Sequence, residues 1–343
     1  MKRSTKRLMI SAVAVLLVAA PAAQVVAWGA SGHRVIGEMG MRALPDTLPG
    51  FLRTTGAVAD VGEYSREPDR WKGAGQPHDR ERDTAHFIDM DDAGRVMDHR
   101  GMTLENLPRL KSEFDASLTR AGLDVDKAGY LPYAIIDAWQ NLERDFAYWR
   151  VLSAVEARET DLAKREWYRA DRVRREQLIL RDIGIMSHYL GDATQPHHTT
   201  IHFNGWAGET NPEGFTTSRR THGQFEGAFT SRNLNQGSVA ANMAPLNTEG
   251  FDVRARTVSL LNTTLGTVVP FYRMEKQGAF TGNDPRGAQF VNERLGAGAE
   301  QLRDFTVAAW EASGKASVGW PAVKVAEVEA GTVDPWMAMI GED

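Results

Sequence analysis

Apolar residues recur every three or four positions along most of the chain, and charged residues fill the positions between them. This period is typical of helices that bury one face. Period-two alternation, which would indicate strands, is scarce, so the pattern predicts a mainly α protein. The predicted helices span residues 33–44, 104–118, 132–158, 171–190, 225–229, 253–274 and 288–313, the first of them capped by Ser31.

Glycine and proline cluster in two short segments, 73–77 and 204–214. Both are too short for interdomain linkers and are predicted to be surface loops. No internal repeat is present, so we expect a single-domain multi-helix bundle over residues 28–343. From Lys315 to residue 343 the helical period is lost, which predicts an irregular tail that covers the surface or pairs with an edge.

The chain begins with four basic residues before an apolar run over 8–23, and small side chains lead up to Ala27. This order is typical of a cleavable secretory signal peptide over residues 1–27. A retained N-terminal membrane anchor is the alternative, but the apolar run is short. No later stretch approaches the roughly 18 unbroken apolar residues of a membrane helix. We therefore expect a secreted or periplasmic protein whose mature chain begins at Trp28.

The composition limits how such a protein could be stabilised and what it could bind. Hydrophobic residues make up 42% of the chain and cysteine is absent, so stability must come from packing or metal rather than from disulfides. Residues 1–27 hold four basic and no acidic residues, so their removal changes the formal net charge from −5 to −9. An acidic surface does not attract polyanions over long distances, so such a substrate would need a local positive charge.

Five of the nine histidines fall within a stretch of about 35 residues, namely His188, His197, His198, His202 and His222. Two of them are followed four residues later by a carboxylate, Asp192 or Glu226. On a helix this spacing puts both side chains on one face, where they can bind the same ion. One such pair is often a surface salt bridge, but two pairs with His198 between them predict a metal site.

Further ligands are available upstream. A mature chain that begins at Trp28 would offer a free α-amine, a carbonyl oxygen and, five residues on, the imidazole of His33. His86 supplies another imidazole, and either Asp69 or Asp60 supplies another carboxylate. Nitrogen and oxygen ligands without sulfur suit zinc in a catalytic role.

Nine of these residues, in this order, resemble the ligand set of two related families, the bacterial zinc-dependent phospholipases C and the single-strand-specific nucleases of fungal and plant type. The resemblance implies three zinc ions in a cleft. It places one on Asp69, His86, His188 and Asp192, a second on Trp28, His33 and the bridging Asp192, and a third on His198, His222 and Glu226. The family pattern Gln-Pro-x-His selects His198 over His197, and the distance to His86 favours Asp69 over Asp60.

The resemblance also implies a mechanism. A hydroxide shared by the paired zinc ions attacks phosphorus, and the third ion neutralises the leaving oxygen. Asp69 and Asp192 would then be catalytic through the metal. Lys72 lies one helical turn after Asp69, at the position where the nucleases carry a phosphate-binding arginine. Lysine has the same charge as arginine but lacks the paired N–H donors that bind a phosphate at two oxygens. Arg70 is a second candidate for this role.

Different segments of the sequence resemble different families, and these families act on different substrates. The start at Trp28 with His33, and the run from His86 to Asp89, resemble the nucleases, in which the residues matching Phe87 and Asp89 bind a base. The run His188-Tyr-Leu-Gly-Asp192 and the use of Glu226 resemble the phospholipases.

We predict a secreted zinc phosphodiesterase, a single-strand-specific endonuclease for DNA or RNA. The alternative is a phospholipase C for phosphatidylcholine-type lipids, and the alternative of another class is a non-catalytic exported zinc-binding protein. In either enzyme the partner is the substrate, single-stranded nucleic acid or phospholipid. We expect no stable protein partner and a monomer.

Other residues with chemical potential are expected to be structural. Predicted loop or solvated histidines are His78, His99, His197 and His202. Trp71, Trp139, Trp149 and Trp206 are predicted to line the core or a pocket. The charged run 143–145 is predicted to lie on a solvated helix face.

Overall fold

The computed structural model describes residues 28–97 and 99–341. Its helices in chain order are α1 (Gly29–Arg42), α2 (Thr55–Tyr64), α3 (Glu67–Arg70), α4 (His78–Asp83), α5 (Lys111–Arg120), α6 (Val125–Ala128), α7 (Leu131–Glu156), α8 (Leu162–Asp192), α9 (Thr221–Gly223), α10 (Thr230–Asn233), α11 (Gln236–Ala241), α12 (Val253–Leu265), α13 (Val268–Lys276), α14 (Pro285–Ser313), α15 (Val325–Glu329) and α16 (Trp336–Ile340). Shorter turns are the 3-10 segments Gly50–Arg53, Thr84–His86, Leu104–Asn106 and Pro196–Thr199, and the π-helical turn Gln224–Phe229. The predicted signal peptide lies outside the described residues.

The longest helices form the centre of the molecule. Helices α7 and α8 pack along each other as an antiparallel pair, and α14 packs against both. Helices α1 and α2 lie against α8 and against one another. The prediction of a mainly α, single-domain, multi-helix protein is confirmed.

Buried apolar side chains fill the space between these helices. The largest cluster joins α7 and α8 to the segments before them, through residues such as Phe114, Phe146 and Ile183. A second cluster surrounds Trp28 and Phe225. Burying a side chain of this size contributes about 1.5–3 kcal/mol, so these clusters hold the loops between the helices in fixed positions.

Several predicted helix bounds are wrong, for identifiable reasons. Helix α1 begins at Gly29, so Ser31 lies inside the helix and Trp28 occupies the N-cap position. The predicted helix 104–118 is interrupted at Pro108, before α5 begins. The predicted helix 253–274 divides into α12 and α13, because Pro270 cannot donate to the carbonyl four residues earlier and its ring clashes with it.

The C-terminal tail is more regular than predicted. Two strands, β1 (Ser317–Val318) and β2 (Val323–Lys324), pair antiparallel and lead into α15 and α16. Val318 and Val328 pack with Tyr168 and the last turns of α7 in a third buried cluster. The expectation of an irregular tail is therefore wrong, because its valines form an apolar face against the α7–α8 pair.

Among the described residues, none of the helices has the length and apolar character needed to cross a membrane.

Candidate metal centre

The predicted ligands converge at one end of α8. His188 and Asp192 lie on its last turn, and His33 lies in the first turns of α1, which packs beside it. Asp69 belongs to α3, and His86 ends a 3-10 turn. His198 follows in the 3-10 turn after α8, while α9 and the adjoining π-helical turn supply His222 and Glu226.

Asp192 is the centre of the first arrangement. Its Oδ2 atom lies 3.1 Å from His86 Nδ1 and 3.3 Å from His188 Nε2, and these two ring nitrogens are 2.9 Å apart. Its Oδ1 atom lies 3.6 Å from His33 Nε2. The four side chains are buried. Ligands on a tetrahedral zinc ion with bonds of about 2.0 Å stand about 3.3 Å from one another, so the observed spacings suit zinc.

Asp69 lies close to two histidines of the first arrangement. Its carboxylate groups with His33 and His188, all ligand atoms lying within 4.8 Å of one another. The family resemblance assigns Asp69 and His33 to neighbouring ions, whereas here they share one group with His188. Asp60 is exposed on α2 and takes no part in this group.

A second arrangement surrounds Glu226. Its Oε1 atom lies 2.6 Å from His222 Nε2 and 3.0 Å from His198 Nε2, and the two histidine nitrogens are 3.2 Å apart. His198 also approaches the first arrangement, because its Nδ1 atom lies 3.6 Å from Asp192 Oδ1. The two arrangements are therefore neighbours in one buried polar region.

Several ligand atoms have no hydrogen-bond partner among the described residues. These buried atoms include both ring nitrogens of His33, Asp192 Oδ1, Glu226 Oε2 and His222 Nδ1. A buried polar atom without a partner costs about 1–3 kcal/mol. Concentrating such atoms in one place is unfavourable unless a cation binds them, and the buried groups could hold metal ions.

Backbone carbonyls fix the orientation of two ligand imidazoles. The Nδ1 atom of His188 donates to the Ser65 carbonyl at 2.8 Å, and that of His198 donates to the His86 carbonyl at 2.6 Å. The Nε2 atom of each ring then faces its group and can bind a metal ion that displaces its proton. This use of the second ring nitrogen is characteristic of metal-binding histidines.

Gln195 is a supporting residue that the sequence analysis did not identify. It is fully buried, its Nε2 atom donates to Glu226 Oε1, and its Oε1 atom accepts from the His197 backbone N–H at 2.7 Å. Its place in the Gln-Pro-x-His motif was the signal that could have indicated it.

Burial and neighbouring charges shift the pKa values of the cluster in opposite directions. Burial, followed by the neighbouring His188, lowers the pKa of His33 to about 3. Burial opposes protonation of His198, but Asp192 and Glu226 outweigh it and raise its pKa to about 9. The pKa of Asp192 lies well below its ordinary range, because its histidine neighbours overcome the effect of burial. Asp192 is thus ionised and His33 neutral, which are the forms that bind metal.

A cleft of about 640 Å³ opens beside the two arrangements. Residues of its wall include His86, His198 and His222, together with Lys72, Phe87, Asp89, Met97, Ile201 and Phe203. Phe87 is half-buried, and burial raises the pKa of Asp89 well above its ordinary value. The cleft therefore combines apolar side chains with a buried carboxyl group whose pKa is raised.

Lys72 brings a positive charge to this cleft. Its ammonium group lies 2.8 Å from Asp69 Oδ1 and 3.7 Å from Asp83 Oδ1, and its side chain is only 9% exposed. Burial lowers the pKa of Lys72, but these carboxylates outweigh it, so the pKa is raised. Arg70 instead points to Glu63 and Glu67 on the surface.

Three structural expectations need correction or refinement. His197 and His202 are buried rather than solvated; His197 packs on Phe271 and His202 stacks on Trp206 with 3.7 Å between ring centroids. Asp145 is also buried, where it accepts from Arg175 at 2.6 Å. Trp28 is fully buried in the second apolar cluster, and its indole N–H donates to the Gly191 carbonyl at 2.7 Å, one residue before Asp192.

No family model, curated protein or solved structure matches this chain. The resemblance to the zinc phosphodiesterases therefore rests on the residues themselves.

Proposed function

We propose that this protein is a secreted or periplasmic zinc-dependent phosphodiesterase, and specifically an endonuclease for single-stranded DNA or RNA. One observation carries the proposal: buried histidine and carboxylate groups with metal-ligand spacing converge beside a cleft that can admit a nucleotide, and His86, His198 and His222 line its wall.

Three zinc ions are proposed. Asp69, His86, His188 and Asp192 would hold one, His33 and Trp28 with Asp192 a second, and His198, His222 and Glu226 a third. Zinc in such a site lowers the pKa of water and stabilises negative charge on phosphoryl oxygens. Bound cations would also allow an acidic protein to hold a phosphodiester.

The chain's own residues support a phosphate-binding role for Lys72. Its ammonium lies on the cleft wall and is held between Asp69 and Asp83, so it can donate to a phosphoryl oxygen without reorienting a long flexible chain. A preorganised cation of this kind stabilises the charge that develops in phosphoryl transfer. Lysine acts here as a point charge rather than a bidentate fork.

Phe87 and Asp89 support nucleic acid as the substrate. A half-exposed aromatic ring can stack on any base, which suits unpaired strands. The carboxyl of Asp89, whose pKa is raised by burial, can accept from the hydrogen-bonding edge of a base and, when protonated, can also donate to it. These two residues line the same cleft as Lys72, so base and phosphate could bind together.

A phospholipase C is the second candidate. Met97, Ile201 and Phe203 add apolar surface to the cleft, and Phe203 is 46% exposed. Such a surface could contact the glycerol and acyl chains of a lipid.

The test combines metal analysis with turnover. We expect about three zinc ions per mature chain, and chelator-sensitive hydrolysis of single-stranded DNA and RNA but not of phosphatidylcholine. In Asp192→Asn a ligand common to two ions is lost, so we expect at most one zinc and a fall in turnover of more than about a hundredfold. His78→Asn is the matched control, because this exposed histidine lies outside both arrangements.

Three other outcomes would support a different function or overturn the metal assignment. Hydrolysis of lipid alone would assign the protein to the phospholipases. Stoichiometric zinc without hydrolysis of any phosphodiester would support a zinc-binding protein. A mature chain that contains no zinc and remains active would overturn the metal assignment.

A further inference from the structure

The outer face of α8 carries an unusual combination of side chains. Arg174, Leu178 and Arg181 are spaced at four and seven residues, so they project from one face of the helix. The arginine side chains are 68% and 50% exposed, and Leu178 is 42% exposed. An exposed stripe of positive charge and apolar surface is unexpected on a protein whose net charge is negative.

These two arginines are paired more loosely than Arg169, Arg172 and Arg175 of the same helix. Arg174 and Arg181 each lie 3.5 Å from one neighbouring carboxylate, Asp171 and Asp182 respectively. By contrast, Arg175 contacts Asp145 at 2.6 Å. Arg172 is held between Glu156 and Glu176 at 2.6 and 2.5 Å. Weak exposed pairs of this kind contribute little to stability, so an incoming anion can replace them at small cost.

The stripe leads toward the cleft. The guanidinium of Arg181 lies over the ring of Trp71, 5.9 Å from its centroid. Trp71 is half-buried, and the next residue is Lys72, whose ammonium lines the cleft. We call Arg174, Leu178, Arg181 and Trp71 the α8 track. It runs along the helix surface and ends at the residue proposed to bind the scissile phosphate.

We propose that the α8 track binds the backbone of single-stranded nucleic acid outside the cleft, so that the protein selects strands longer than the cleft can hold. This inference rests on the proposed nuclease function. Seven residues of helix separate the two arginines, which places them about 10 Å apart along the axis. They can therefore contact phosphates of nearby nucleotides, while Leu178 and Trp71 offer apolar surface to the bases.

A nucleic acid strand fits this surface better than an anionic membrane does. The track is one helix face wide, whereas a membrane-binding helix buries a broad apolar face beside its cations. The rest of an acidic protein would also be repelled by an anionic bilayer, but a flexible strand can follow a narrow track alone.

Fluorescence anisotropy with labelled oligothymidylates tests the proposal. A phosphorothioate dinucleotide is compared with a phosphorothioate strand of about 16 nucleotides on the zinc-loaded protein, so that hydrolysis is suppressed without removing the metal, with circular dichroism to verify folding. In Arg174→Gln/Arg181→Gln we expect the affinity gained with strand length to fall about tenfold. The slope of log affinity against log salt should decrease by about 1.4, since each phosphate contact on a single strand contributes about 0.7.

The control variant removes the same charge elsewhere. Arg53→Gln/Arg286→Gln changes two exposed arginines outside the track and should keep the length dependence of the unmodified protein. Equal loss in both double variants, or no loss in the track variant, would overturn the proposal. Reduced binding of the track variant to phosphatidylglycerol vesicles, with unchanged oligonucleotide binding, would assign the surface to membranes and also overturn it.

The two proposals fail differently. If zinc-loaded protein hydrolyses no strand, the nuclease function is wrong whatever the binding data show. If hydrolysis occurs but the track variant binds long strands normally, only the track assignment is wrong.

Discussion

Asp192 shows how one side chain can organise a site. It is fully buried, and its two oxygens lie within 3.6 Å of ring nitrogens from His33, His86, His188 and His198. The sequence could indicate Asp192 because its spacing from His188 is that of one helix face. It could not show which other histidines approach the carboxylate, since these come from distant parts of the chain.

A second residue, Gln195, should affect how tightly the site binds metal. Its amide orients Glu226, so Gln195→Ala should weaken metal binding at His198, His222 and Glu226 by about 10- to 100-fold, the effect of losing a supporting hydrogen bond. Titration with zinc, followed by calorimetry, measures the change. Gln140→Ala, at an exposed position on α7, is the control. Unchanged zinc affinity in Gln195→Ala would show that Glu226 needs no such support.

At the scale of elements, close helix contacts set the position of the ligands. A Cβ atom on Gly184 of α8 would lie 2.9 Å from the Tyr64 carbonyl carbon at the end of α2. This approach brings the Ser65 carbonyl to His188 and α3, with Asp69, to the same end of α8. The apolar period predicted that α8 is a helix, but the period alone does not say which neighbour approaches its glycines.

The α7–α8 contact also contains a titrating pair. Burial, followed by the neighbouring Asp145, raises the pKa of Asp182 to about 7. A group whose pKa is raised on folding stabilises the protein below its unfolded value of about 3.9, and this contribution is lost as the pH rises through about 7. Stability should therefore fall between these pH values.

Asp182→Asn removes this ionisation. We expect the variant to be more stable than the unmodified protein at pH near 8, by about 1–2 kcal/mol, and to show a smaller pH dependence between about pH 4 and 7. Urea unfolding at several pH values measures both. Asp137→Asn, an exposed aspartate of α7, should change neither. A stability curve of Asp182→Asn that parallels the unmodified curve would refute the buried ionisation.

At the scale of the whole molecule, the proposed second zinc site depends on the proposed cleavage before Trp28. Trp28 packs on Phe225 with 5.6 Å between ring centroids and occupies the N-cap position of α1. A free α-amine is a metal ligand, whereas a peptide nitrogen at the same position is not. A chain beginning at Trp28 should thus bind one more zinc than a chain with a short tag before it, and turn over substrate faster. Equal metal content in the two forms, measured by elemental analysis, would exclude the amine as a ligand.

The sequence by itself determined the class of the fold and named eight side chains that the structure gathers into groups that could hold a metal ion: His33, Asp69, His86, His188, Asp192, His198, His222 and Glu226. The fold class and the pairs His188–Asp192 and His222–Glu226 follow from local information, because the helical period and the ligand pairs are short spacings. The family resemblance selected Asp69 over Asp60 and His198 over His197.

Only the tertiary structure decided the rest. It grouped Asp69 with His33, placed Gln195 in hydrogen-bond contact with Glu226, and buried His197 and His202. It also placed the guanidinium of Arg181 over Trp71, the residue before Lys72 of the cleft wall. It also ordered the tail, whose short valine-rich segments fold only against α7 and Tyr168. These features depend on contacts between residues far apart in the chain. Such contacts arise from the packing of whole helices, and no local pattern contains them.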